Sequence, residues 1–102
     1  MSKRLTHVVD EARYVPWYAL HASTRARREA GETIGEVEVI FRNPADTDPG
    51  GCRILFDEST IARCAARGIR SAQEMVGRMI TIEAPDDLTD ILLAPVRLVD
   101  IW

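Results

Sequence analysis

The chain predicts a mainly β fold with one or two short helices, a small closed barrel of five strands with its helix between strands three and four. Three observations predict it: a strictly alternating run at residues 36–42, a helical stretch after residue 57 punctuated at both ends, and further strand-like runs on either side. With 102 residues, 46% of them hydrophobic, the chain has material for one domain with one core, so residues 1–102 are expected to pack as a unit. No repeat, linker or low-complexity tract divides it.

Residues 1–13 carry Leu5, Val8, Val9 and Ala12 at spacings of three and four, which predicts a short amphipathic helix or an N-terminal arm outside a barrel of residues 14–102. Tyr14 to Ala22 is dense in aromatic and apolar residues and reads as the first strand, with Pro16 near its start. The rival is a helix opened by Pro16 and closed by Gly31, with Tyr18, Ala22, Ala26 and Ala30 on one face. Ser23 to Gly35 is polar, a long loop with room for a helical turn. From Glu36 to Arg42, Val37, Val39 and Phe41 alternate with Glu36, Glu38 and Arg42, as a half-buried second strand requires. Asn43 to Gly51 combines Asn, Asp, Pro and Gly and must turn, so Cys52 to Phe56 returns antiparallel as the third strand.

Asp57 or Ser59 can cap the following helix, with Ile61, Cys64 and Ala65 as its buried stripe, Gly68 as its left-handed stop and Ile69 packed behind. Ser71 and Glu74 fit a capping box for a further turn ending at Gly77. Arg78 to Glu83 alternates around Ile80 and Ile82 as strand four, Pro85 to Asp87 turns, and Ile91 to Trp102 is the last strand, interrupted by Pro95 at a bulge or an edge.

The net charge of −3 is segregated: residues 1–30 carry +3, 31–51 carry −4, 52–78 carry +2 and 79–102 carry −4. Twelve of the thirteen basic residues are arginine, suited to bidentate contacts with phosphate or carboxylate, although a GC-rich genome yields the same bias. No apolar run reaches a membrane-spanning length of about eighteen residues, and residues 1–10 hold no continuous apolar segment, so a cytoplasmic protein without membrane association is expected. Cys52 and Cys64 read as small buried hydrophobes in a reducing compartment.

Motifs for chemistry are wanting. His7, His21, Cys52 and Cys64 lack the close spacing of metal-ligand pairs, Gly50-Gly51 is not followed by a phosphate-loop signature, and the paired acids fall in turns or at a helix start. No catalytic residue, metal or cofactor is therefore expected. The Trp17 to His21 segment, followed by Arg25 to Glu29, looks like the opening strand and helix of the N-terminal domain of bacterial antitermination and elongation factors. That likeness is local, since the later part of that domain's pattern is not evident.

Over residues 14–102 the order of elements is similar to that of the oligonucleotide and oligosaccharide-binding barrel. The resemblance implies a binding surface on strands two and three (Val37 to Arg42, Cys52 to Phe56) flanked by Arg25 to Arg28 and Asp86 to Asp90. Single-stranded DNA or RNA is the expected ligand, contacted by Arg25, Arg27, Arg28, Arg42 and Arg53 with Trp17, Tyr18 and Phe41 for stacking. The alternative is a protein-interaction module docking through Asp100, Ile101 and Trp102, and a homodimer joined through the Pro95-interrupted strand is a third expectation.

Overall fold

The computed structural model describes residues 3–42, 50–84 and 95–102. Its first element overturns the expectation of an arm or helix: Lys3–Tyr14 is a twelve-residue strand, β1. The helix-like spacing has a physical origin. Leu5, His7 and Val9 share one face of the strand, the pairing register then shifts between Val9 and Glu11, and beyond it Ala12 and Tyr14 take that face. One extra residue, Asp10, reverses the phase, and a strand whose phase reverses once mimics a spacing of three.

The expected strand at residues 14–22 is also corrected. Only Tyr14 belongs to a strand; Trp17–Ala19 forms a 3₁₀ turn and Ala22–Glu29 an α-helix, α1. Pro16 lacks an N–H but its carbonyl accepts from Ala19 at 2.9 Å, which starts the turn. Alanine and arginine then favour helix, and Gly31, at φ 98°, ends it in a conformation that costs other residues a steric clash.

Strands β2 (Gly35–Arg42) and β3 (Gly50–Phe56) pair antiparallel as the alternation requires, with Val37, Val39 and Ile54 wholly buried. Most of the turn between them, residues 43–49, lies outside the described residues. Helix α2 (Glu58–Ala66) is capped by Asp57, whose Oδ1 accepts from the Thr60 amide at 3.0 Å and from the Ser59 hydroxyl at 3.1 Å. Gly68, at φ 77°, stops it, and the buried Ile69 donates its N–H back to the Cys64 carbonyl at 2.9 Å. Its buried face is narrower than expected: Thr60 and Cys64 are buried, whereas Ile61 and Ala65 are exposed.

The Ser71–Glu74 capping box does not form. Glu74 Oε2 accepts from the Arg70 amide at 2.7 Å and the Ser71 side chain makes no cap bond, yet the 3₁₀ turn Ala72–Met75 is present with Ala72 and Met75 fully buried. Burial of those two side chains stabilises it in place of the box.

Strand β4 (Met79–Ala84) buries Ile80 and Ile82, and β5 (Val96–Ile101) begins directly after Pro95, which therefore borders the strand instead of interrupting it. Residues 85–94, including the Pro85 turn, the expected loop Asp86 to Asp90 and Ile91 to Ala94, lie outside the described residues.

The sheet closes on itself in the order β1-β2-β3-β5-β4, with β4 returning to β1. Every pairing is antiparallel except β3 with β5, which run parallel through Ile54↔Val96 and Leu55↔Arg97. On one side β5 meets β3 only at Val96 and Arg97, and on the other it runs along β4 from Arg97 to Ile101. The core is the inner face of all five strands, joined by Cys64, Ile69, Ala72 and Met75 from the connection between β3 and β4.

Two substitutions test this arrangement. Val9→Asp buries an unpaired carboxylate and is expected to abolish cooperative thermal unfolding followed by circular dichroism, whereas it would be harmless in a detached arm. Asp57→Ala is expected to cost about 1 kcal/mol in urea unfolding, the value of a helix cap.

Candidate ligand groove

Outward residues of β2 and β3 face each other in pairs: Glu36 with Leu55, Glu38 with Arg53, Ile40 with Gly51. Glu36 should be a solvated surface acid, yet its side chain is 0% exposed. The chain leaving β1 covers it. The Val15 amide donates to the Glu36 carbonyl at 3.0 Å, after which the 3₁₀ turn and α1 run across this face.

The buried carboxylate is compensated from several sides. The His21 amide donates to Glu36 Oε2 at 3.0 Å and the His21 ring Nδ1 lies 2.7 Å from Oε1. Arg53 Nη1 stands 3.7 Å from the same oxygen and donates to the Ala19 carbonyl at 2.5 Å. Burial pushes the Glu36 carboxyl up, but the neighbouring Thr24 hydroxyl and the His21 ring and amide outweigh it, holding the group below the ordinary glutamate value. Thr24 Oγ1 makes no well-formed hydrogen bond among the described residues, so its contribution is a close polar contact and the His21 bonds are the stronger ones. An ionised Glu36 accepts only, so His21 Nδ1 carries a proton and donates.

Beside this clamp lies an open groove of about 530 Å³ lined by His21, Glu38, Val39, Ile40, Gly51, Cys52 and Arg53. Its floor is backbone at Gly51, where an added Cβ would lie 3.1 Å from the Val39 carbonyl oxygen. Glu38 also meets Arg13 across an exposed pair at 3.3 Å. Cys52 faces the core, and burial pushes its thiol up to about 12; burial likewise raises Cys64, so neither supplies a thiolate near neutral pH. Among the described residues, no three His, Cys, Asp or Glu side chains gather as a metal site.

The sequence-derived binding residues have divided fates. Trp17 (45% exposed) and Tyr18 (82% exposed) stand on the 3₁₀ turn, and the Arg28 guanidinium lies over the Trp17 ring at 5.6 Å. Because Ala19 is tied to Arg53, this aromatic and cationic surface adjoins the groove. Arg27 is instead locked to Glu32 by bonds of 3.0 and 2.8 Å, and Arg25 is half-buried with its Nε enclosed. Phe41 is buried and stacked on His7 at 4.3 Å, so it offers no open face. Arg42 lies in β2 opposite Val8. The expected arginine cluster is thus dispersed.

The carboxy-terminal trio divides too. Ile101 is wholly buried, and Asp100 Oδ1 accepts the Ile101 amide at 2.9 Å, which leaves Trp102 as the exposed hydrophobe. Trp102 exchanges backbone hydrogen bonds with Met79 at 3.0 and 2.9 Å, and Met79 pairs with Val8, so three exposed apolar residues form a row across β1, β4 and the end of β5.

Glu38 falls within the implied surface Val37 to Arg42 but was not singled out as a contact, and His21, Glu36 and Gly51 lie outside the sequence-derived surface. Alternation assigned Glu36 its outward direction correctly, but nothing local to residue 36 indicates that residues fifteen positions earlier fold over it.

Acid titration tests the clamp. A carboxyl whose folded pKa is depressed contributes stability that is present above the ordinary glutamate value of 4.5 and lost as pH falls through the folded value. The protein should therefore lose stability below that value, and Glu36→Gln should flatten part of the slope in urea unfolding between about pH 3 and pH 6. Asp57, held below its ordinary value despite partial burial, and Glu32, lowered by its bond from Arg27, keep part of the slope.

Comparison with known protein families, characterised proteins and solved structures found no match to this chain.

Proposed function

We propose that the chain is a noncatalytic binding module of the oligonucleotide and oligosaccharide-binding type, and that single-stranded DNA or RNA lies across β2 and β3. The observation that carries this reading is the open groove on the outer β2–β3 face, flanked by the connection between β1 and β2. In that architecture the same face and the same connection bind ligand. The strand order, the parallel β3–β5 contact and the position of α2 in the chain support the assignment. Two unbridged cysteines accord with a reducing, cytoplasmic setting, and among the described residues no helix is long and apolar enough to cross a membrane.

The dispersal of the arginines changes the expected mode of binding. Arg53 lines the groove and Arg28 lies over the Trp17 ring, so with two arginines to hand stacking on Trp17 and Tyr18 carries more of the affinity than phosphate neutralisation. With two phosphates neutralised, the logarithm of the binding constant should fall with the logarithm of salt at a slope of about −1.4. Trp17→Ala and Tyr18→Ala should each cost about 1–3 kcal/mol in fluorescence anisotropy with a labelled oligonucleotide. Absence of micromolar binding at low salt, or indifference to both substitutions, would refute the reading.

The exposed row Val8, Met79 and Trp102 favours a second reading, a protein-interaction module. It predicts that tagged protein retains a stoichiometric partner from nuclease-treated lysate and that Met79→Asp releases it. Retention of nucleic acid without a protein partner contradicts it.

A further inference from the structure

We infer that the groove over β2 and β3 takes a single nucleobase and selects one with two adjacent N–H donors, guanine above all. The inference rests on the nucleic-acid reading above and adds to it a chemical preference. Shape comes first. Gly51 leaves the floor without a side chain, and Ile40 opposite provides an apolar surface on which the face of a base can rest. A volume of about 530 Å³ accommodates a base with its sugar and leaves the strand free to run on along the sheet.

The polar groups then set the preference. Glu38 is an acceptor when ionised, and its pair with Arg13 is exposed and solvent-screened, so a ligand displaces it at little cost. His21 has Nδ1–H committed to Glu36, which fixes its ring in the wall of the groove. Arg53 is the donor in the groove, with one nitrogen already held by the Ala19 carbonyl. The Glu38 carboxylate matches paired donors on the base edge. Guanine offers N1–H and the 2-amino group side by side, a bidentate match to one carboxylate. Adenine and cytosine present an amino group beside a ring acceptor, and thymine presents one N–H between two carbonyls, which would set oxygen against the Glu38 carboxylate. A site built on hydrogen-bonding groups discriminates against a ligand that leaves them unpaired.

The test uses the full chain and three labelled oligonucleotides of equal length: all-thymine, the same strand with one central guanine, and the same strand with inosine there. Inosine keeps N1–H and lacks the 2-amino group. The guanine strand should bind about tenfold more tightly than all-thymine, with inosine between them. Glu38→Gln, checked for an unchanged cooperative melt, should bring the guanine-to-thymine ratio close to one. Equal affinity of the unaltered protein for all three strands overturns the guanine preference and leaves the nucleic-acid reading standing. Failure to bind any of them overturns both.

Discussion

The fold depends on one strand having two partners. β1 pairs with β4 through Lys3 to Val8 and with β2 through Val8 to Tyr14, and the extra residue at Asp10 lets it turn from one to the other. Without that bend, the antiparallel run β1-β2-β3 and the pair β4-β5 would be joined through only the short parallel contact at Ile54 and Leu55. Closure through β1 places Val9 opposite Phe41 and directs one apolar face from every strand into a shared interior. A closed sheet also removes the exposed edges that would otherwise recruit other strands.

The same strand determines where the groove lies. β1 ends at Tyr14, opposite Val37 near the start of β2, so the connection that follows must cross the outer face of β2 and β3. It covers Glu36 on the way. A carboxylate removed from water is costly unless paired and hydrogen-bonded, and the His21 amide and ring, with Arg53 nearby, supply that pairing. The clamp fixes the orientation of the His21 ring and holds the Trp17–Tyr18 turn beside the groove. It also occupies Arg53, one reason a chain with thirteen basic residues offers few cations to a ligand there.

What was legible in the sequence follows from which forces are local. The Glu36 to Arg42 alternation, the Asp57 cap, and the Gly68 stop with Ile69 behind it are each decided within a few residues, and each stands as read. β1 was misread because the bulge at Asp10 imitates a helical spacing. The Ser71–Glu74 box was misread because the Arg70 amide competes for the same carboxylate. At the groove, Trp17, Tyr18 and Arg28 were identifiable by residue type and remain exposed. Burial of Phe41 and capture of Arg27 by Glu32 follow from packing that residue type alone does not report. The covering of Glu36 by residues 15–24 is wholly tertiary, and no spacing rule anticipates it.

The claim that joins fold to function is that ligand enters on the outer β2–β3 face. The most direct measurement is a two-dimensional amide NMR titration of the isotopically labelled chain with a short single-stranded oligonucleotide. Shifts confined to residues 17–21, 38–40 and 51–53, with Met79 and Trp102 unmoved, are the predicted result. Shifts centred on Val8, Met79 and Trp102, or none at saturating oligonucleotide, would contradict it.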